Sequence, residues 1–381
     1  MTKRVAILIG GGDVPGVNMC LKSLVYRLID LGYEPIGVRK GWEGLINYNP
    51  HDPTTYSEYF TELTKNIVRP IDRTSGSFLH SSRLEPRHVP TQLVPEFLRK
   101  PKAETQDLTE HILDVFKRLD YRALIVIGDD DMLHYAAYLN QQGLPIIAIP
   151  KTIHNNIHGS DYTLGFSTGL ARGVAFIHEL RSLAASREHL MVVETFAAKS
   201  GYSTLLLSLL AGIDRVIIPE VPYDPDKLTH LALLDKQQNP ANYAILIVCD
   251  GSQLTHQKTE QYNWLLSAYE NEAASGLQSS IMAGYQPSLV GSGMIAARLL
   301  GHLSGEEVLL QPLTYLLRTG SPDGQDLLGA VNFAFTAARL LHEGNFGRMA
   351  AFVQNKMWTH VDINLAIEGV KTCLLYTSDA A

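Results

Sequence analysis

The chain predicts an α/β fold built on a mainly parallel sheet, on three observations. Short β-branched runs alternate with longer stretches of helical periodicity. Small-residue turns follow directly on several of those runs, at the strand ends where open sheets bind ligands. Finally, 45% of the 381 residues are apolar, enough for one large domain or two lobes with cores of their own.

The expected strands, in order, are Val5–Ile9, Pro35–Val38, Ala123–Ile127, Pro145–Ile149, Leu190–Glu194, Val216–Ile218 and Ala244–Val248. Each is a short apolar run rich in Val and Ile, as strands covered on both faces require. Between them, Asp107–Leu119 and Met132–Gln142 read as helices. A helix from Phe166 to about Leu183 would place Phe166, Leu170, Val174, Ile177 and Leu180 on one stripe. The stretch Asn47–Lys102, rich in Pro, Thr and charge, reads as loops and short helices over the sheet mouth. Near the end, Asn364–Lys371 reads as a helix, and 374–381 as a tail foreign to the fold.

A net charge of −7 argues against a general nucleic-acid binder. No apolar run approaches the roughly 20 residues that span a bilayer. Cys20, Cys249 and Cys373 are widely spaced and form no Cys-x-x-Cys, which suits reduced thiols in a cytoplasmic protein. No Gly-x-Ser-x-Gly signature supports hydrolase chemistry.

Four segments carry chemistry. Gly10-Gly11-Gly12-Asp13-Val14-Pro15-Gly16-Val17-Asn18 follows the first strand, and its small residues let backbone N–H groups approach a phosphate. It is neither a Walker loop nor a dinucleotide fingerprint. Ile127-Gly128-Asp129-Asp130-Asp131-Met132 ends a second strand in three carboxylates, which read equally well as a solvated helix start or a cation site. Gly76-Ser77-Phe78-Leu79-His80-Ser81-Ser82-Arg83 offers a guanidinium in a small-residue loop. Pro150-Lys151-Thr152-Ile153-His154-Asn155-Asn156, then Gly159-Ser160-Asp161-Tyr162-Thr163-Leu164-Gly165-Phe166, follows another strand.

Together these motifs resemble, in order, those of the 6-phosphofructokinase family, with patterns such as Gly-Gly-Asp-Ala-Pro-Gly-Met-Asn, Ile-Gly-Gly-Asp-Gly-Ser and Pro-Lys-Thr-Ile-Asp-Asn-Asp. Gly41-Trp42-Glu43-Gly44-Leu45 matches a further family turn. The resemblance implies two lobes of mainly parallel sheet flanked by helices. The phosphoryl-donor lobe would comprise 1–165 plus about 316–355, and the sugar-phosphate lobe 166–315 plus about 356–373. It also implies phosphoryl transfer from pyrophosphate or ATP to the 1-hydroxyl of fructose 6-phosphate, with Mg²⁺. Gly12, Arg83, Gly128, Asp130 and Asp131 would meet the donor, with Asp130 on the metal. Lys151, Thr152 and His154 would line the catalytic turn, and Glu220, Tyr315 and Arg318 the acceptor.

Asp131 and Lys151 match the pyrophosphate-dependent type. The departures lie elsewhere. His154 and Asn156 replace two aspartates, the first of them the family's general base. Ala198, His189 and Leu309 stand where phosphate-binding arginines are expected, and Tyr315 replaces a histidine. Asp129 replaces a glycine, where a side chain would crowd the phosphate path. Such changes imply weak or lost turnover, or a non-catalytic regulatory or ligand-sensing paralogue. Family members assemble as oligomers, so a homo-oligomer is expected, or a hetero-oligomer with an active paralogue.

Overall fold

The computed structural model describes residues 3–100, 103–196, 199–268, 291–355 and 357–373. Two compact units emerge, Met1–Gly169 with Arg318–Lys371, and Leu170–Leu317 with Thr372–Ala381.

The first unit holds a seven-stranded sheet. Its strands run in the spatial order Met357–Asp362, Arg348–Val353, Ile146–Pro150, Ala123–Gly128, Arg4–Ile9, Glu34–Val38 and Phe60–Glu62. The five inner strands pair in parallel, and the two edge strands are antiparallel. Every residue of Val5–Ile9 and Ala123–Ile127 is fully buried, which explains the unbroken apolar runs in the sequence. Each such Ile or Val stabilises the fold by about 1.5–3 kcal/mol through burial. Helices Val17–Asp30 and Gly324–Glu343 pack on one another beside the sheet. Trp42, Leu45, Val115 and Leu133 belong to the core of this unit.

A buried carboxylate organises the entrance to the long helix Phe166–Arg187. Asp326, with no exposed surface, accepts bonds from the Tyr162 hydroxyl, the Gly165 N–H (2.7 Å), and the Thr168 N–H (2.9 Å) and hydroxyl. Two of these four donors are backbone N–H groups at the helix start, where such groups lack intrahelical partners.

The second unit holds four parallel strands in the order Val308–Pro312, Leu190–Thr195, Ala244–Cys249 and Arg215–Ile217. Its core gathers Leu190, Val192, Leu246, Val248 and Ala296.

The structure corrects the sequence expectations in places. Phe60–Glu62, Val308–Pro312, Arg348–Val353 and Met357–Asp362 are strands that the sequence did not announce. Residues 357–371 fall with the first unit rather than the second, because Met357–Asp362 pairs with Arg348–Val353. The expected helix at Asn364–Lys371 is only a 3₁₀ turn, Ile363–Ile367, capped by the Asp362 side chain. Beyond it Gly369 takes φ 104° and the Lys371 N–H turns to the Asn156 carbonyl, which ends the helical run. No described helix is long and apolar enough to cross a membrane. The presumed tail, 374–381, lies outside the described residues.

Candidate functional site

Three turns meet at the carboxyl ends of neighbouring strands in the first unit. Strand Ala123–Gly128 lies between Arg4–Ile9 and Ile146–Pro150, so the segments that follow them are adjacent. The Gly10 N–H donates to the Ile127 carbonyl at 3.1 Å, and the Lys151 N–H to the Gly128 carbonyl at 2.9 Å. The loop ending at Arg83 joins them. Its Ser81 hydroxyl donates to the Gly11 carbonyl at 2.5 Å, and the Gly11 N–H donates to the Ser82 carbonyl. Thus Gly12, Arg83, Gly128, Asp130, Asp131, Lys151, Thr152 and His154 occupy one end of one sheet.

Gly12 is the focus. A Cβ there would lie 2.0 Å from Arg318 Nη1 and 2.8 Å from Arg83 Nη2, so two guanidiniums close on its missing side chain. Lys151 Nζ donates to the Gly12 carbonyl at 2.5 Å and is fully buried. Burial lowers its pKa to about 8, against the pull of Asp129 and Asp13, while Arg318 and Arg83 lower it further. Below that pH three cations face one glycine turn, a setting that suits phosphate oxygens.

Asp129 enters the same turn. Its side chain caps helix Asp130–Gln141 through the Met132 N–H at 3.4 Å, and its other oxygen accepts the Gly12 N–H at 2.9 Å. Asp130, half-buried, is the first residue of that helix, and Asp131 is exposed beside it.

The turn Lys151–Asn156 is held by side-chain hydrogen bonds. The Thr152 hydroxyl accepts the His154 N–H at 3.1 Å, while the Thr163 hydroxyl donates to the Thr152 carbonyl. Asn155 takes φ 50°, a left-handed conformation that asparagine tolerates better than most residues. Arg318 Nη2 lies 3.2 Å from His154 Nε2. A guanidinium only donates, so Nε2 is the acceptor and the ring proton sits on Nδ1. Desolvation first, then Arg318 and Arg83, holds the His154 pKa down to about 3. The Asn156 side-chain oxygen is buried and finds no hydrogen-bond partner among the described residues.

The remaining acceptor candidates lie in the second unit. Glu220 accepts the Gly201 N–H with both oxygens and the Cys373 N–H with one. Tyr315 is 60% exposed and meets Phe196 edge-to-face. His189 pairs with Glu307 at 3.4 Å. Ala198 lies outside the described residues.

The sequence reading missed Asn18. Its amide donates to the Thr74 and Gly76 carbonyls and its oxygen accepts the Phe78 N–H, so it pins the loop that carries Arg83. An asparagine closing a glycine-rich motif was the available signal. His80 in that loop takes φ 61°, a left-handed backbone that glycine adopts most readily.

A family model described as Phosphofructokinase matches residues 4–341. The chain is 32% identical to the pyrophosphate–fructose 6-phosphate 1-phosphotransferase of Dictyoglomus thermophilum, over 96% of this chain and 93% of that protein. It is 27% identical to ATP-dependent 6-phosphofructokinase 3 of Streptomyces coelicolor, over 97% and 96% respectively. Among solved structures, a pyrophosphate-dependent phosphofructokinase from Marinobacter aquaeolei aligns with TM-score 0.72 at 14% identity, over 99% of this chain and 87% of that one. With a family model covering most of its length and a relative above 30% identity, the chain belongs to the phosphofructokinase family.

Proposed function

We propose that the first unit binds a phosphoryl donor, pyrophosphate in preference to ATP, for transfer to the 1-hydroxyl of fructose 6-phosphate at a low rate. The observation that carries the donor half is the buried Lys151 ammonium on the Gly12 carbonyl, with Arg83 and Arg318 closing on the same glycine. Leaving a charge buried is costly unless an anion compensates it. Asp131, exposed at the start of its helix, would obstruct a nucleoside. The relative at 32% identity is named for pyrophosphate, which supports the same choice.

Mg²⁺ fits as a partner of the donor. Among the described residues no three His, Cys, Asp or Glu side chains gather into a cage. Mg²⁺ is ordinarily held by one or two carboxylates together with phosphate oxygens and water, and half-buried Asp130 supplies one such carboxylate. Bound there, the ion would neutralise charge on the transferring phosphoryl group.

The low rate follows from His154. Its Nε2 lone pair accepts from Arg318, and a pKa near 3 leaves it a feeble base at neutral pH. Loss of a positioned base costs about 10²–10⁴-fold, which slows transfer without abolishing donor binding. A homo-oligomer, or assembly with an active paralogue, fits this reading.

Calorimetry tests the donor preference. With Mg²⁺ present, pyrophosphate should bind more tightly than ATP. Micromolar ATP binding with no pyrophosphate heat would reverse the assignment.

A further inference from the structure

Asp129 does more than cap a helix. A purely local cap would place its best bond on its own first turn, yet its contact to the Met132 N–H is long, at 3.4 Å. The shorter bond, 2.9 Å, goes to the Gly12 N–H, 117 residues away. The carboxylate also lies flat against the glycine turn. A Cβ on Gly11, which has φ +77°, would sit 2.1 Å from Asp129 Oδ2. The carboxylate therefore occupies the space that missing side chains open to an anion, and it consumes the backbone donor beside it. Lys151, bound to the carbonyl of the same Gly12, has Asp129 as its strongest acidic neighbour.

We propose that Asp129 is a built-in occupant of the donor-phosphate position, an internal anion that pyrophosphate must displace before it can bind. The inference rests on the donor reading given above and adds a device to it. The exchange is like for like, since a phosphate oxygen accepts the Gly12 N–H as a carboxylate oxygen does. Tethering gives the carboxylate a large effective concentration, so the competition is intramolecular and always present. The consequence is a chain that keeps its cationic turn compact without ligand and requires high donor concentration to open it.

The test is calorimetric titration of the full chain with pyrophosphate and Mg²⁺. Asp129→Asn keeps a neutral acceptor for the cap, and Asp129→Gly removes the side chain altogether. Asp13→Asn is the control. It too removes a carboxylate near Lys151, but that carboxylate bonds to the Ser77 N–H rather than to Gly12. Loss of a charge-assisted competitor should tighten binding about 10- to 100-fold in the Asp129 variants, with the glycine variant the tighter. Asp13→Asn should change it by less than about threefold. Equal affinity in the wild type and both Asp129 variants overturns the proposal and leaves the donor reading standing. An equal gain in Asp13→Asn overturns it in favour of general charge removal. No binding by either Asp129 variant, with melting curves showing both folded, overturns this proposal and the donor reading together.

Discussion

At the scale of one residue, the donor role proposed for Lys151 opposes stability. Burial holds its pKa near 8, below the ordinary 10.5, so from about pH 8 to 10.5 the unfolded chain binds more protons than the folded one. This group therefore makes folding more favourable as pH rises through that window, and it carries its full penalty below it. Replacing Lys151 with Met should raise stability by about 1–3 kcal/mol at pH 7, read as a higher urea midpoint. The same change should remove most pyrophosphate affinity. In the wild type, affinity should hold steady below pH 8 and fall by up to about tenfold per unit above it, as the ammonium is lost. A Lys151→Met protein that binds pyrophosphate normally would show that the buried ammonium has no donor role, and one that melts earlier would show that its burial does not destabilise the fold.

At the scale of elements, one amide anchors the first half of the loop from Thr74 to Arg83. Asn18 sits in the first turn of helix Val17–Asp30 and satisfies donors and acceptors on three loop residues. Asn18→Ala would leave the Phe78 N–H and two carbonyls without their partner, costing about 2–3 kcal/mol. It should also weaken pyrophosphate binding, because Arg83 ends that loop and closes on Gly12. Unfolding and calorimetry on one preparation check both halves, and unchanged affinity would detach the loop from the donor site. Elements differ in how clearly the sequence announces them. Inner strands such as Ala123–Gly128 were legible because full burial forces an unbroken Val/Ile run. The edge strand Met357–Asp362 carries Trp, Thr, His and Asp on a half-exposed ribbon, so its strand character comes from pairing with Arg348–Val353. Asn364–Lys371 misled because local helix preference there yields to Gly369, at φ 104°, and to the Lys371 N–H pairing with the Asn156 carbonyl.

At the scale of the whole molecule, motif order made the family legible, since three strand-end turns must be neighbours for their glycines and carboxylates to share a ligand. What the sequence did not disclose was the partner of each changed residue. His154 could be read as a substitute base until Arg318 was found donating to its Nε2, and Asp129 as mere crowding until it was found on the Gly12 N–H. Both contacts join residues more than a hundred positions apart, beyond the reach of spacing arguments. In the proposed function a cationic donor turn is coupled to a missing base. A coupled phosphofructokinase assay tests it most directly, with Mg²⁺, millimolar fructose 6-phosphate, and pyrophosphate and ATP run in parallel. Groups that act in concert are not restored singly, so His154→Asp alone should recover little. Combined with Asn156→Asp and Ala198→Arg, it should raise the pyrophosphate-dependent rate by about 10²-fold or more over a slow wild type. A wild type that turns over as fast as the combined variant, and loses that rate in His154→Ala, would contradict the account and make His154 a working base.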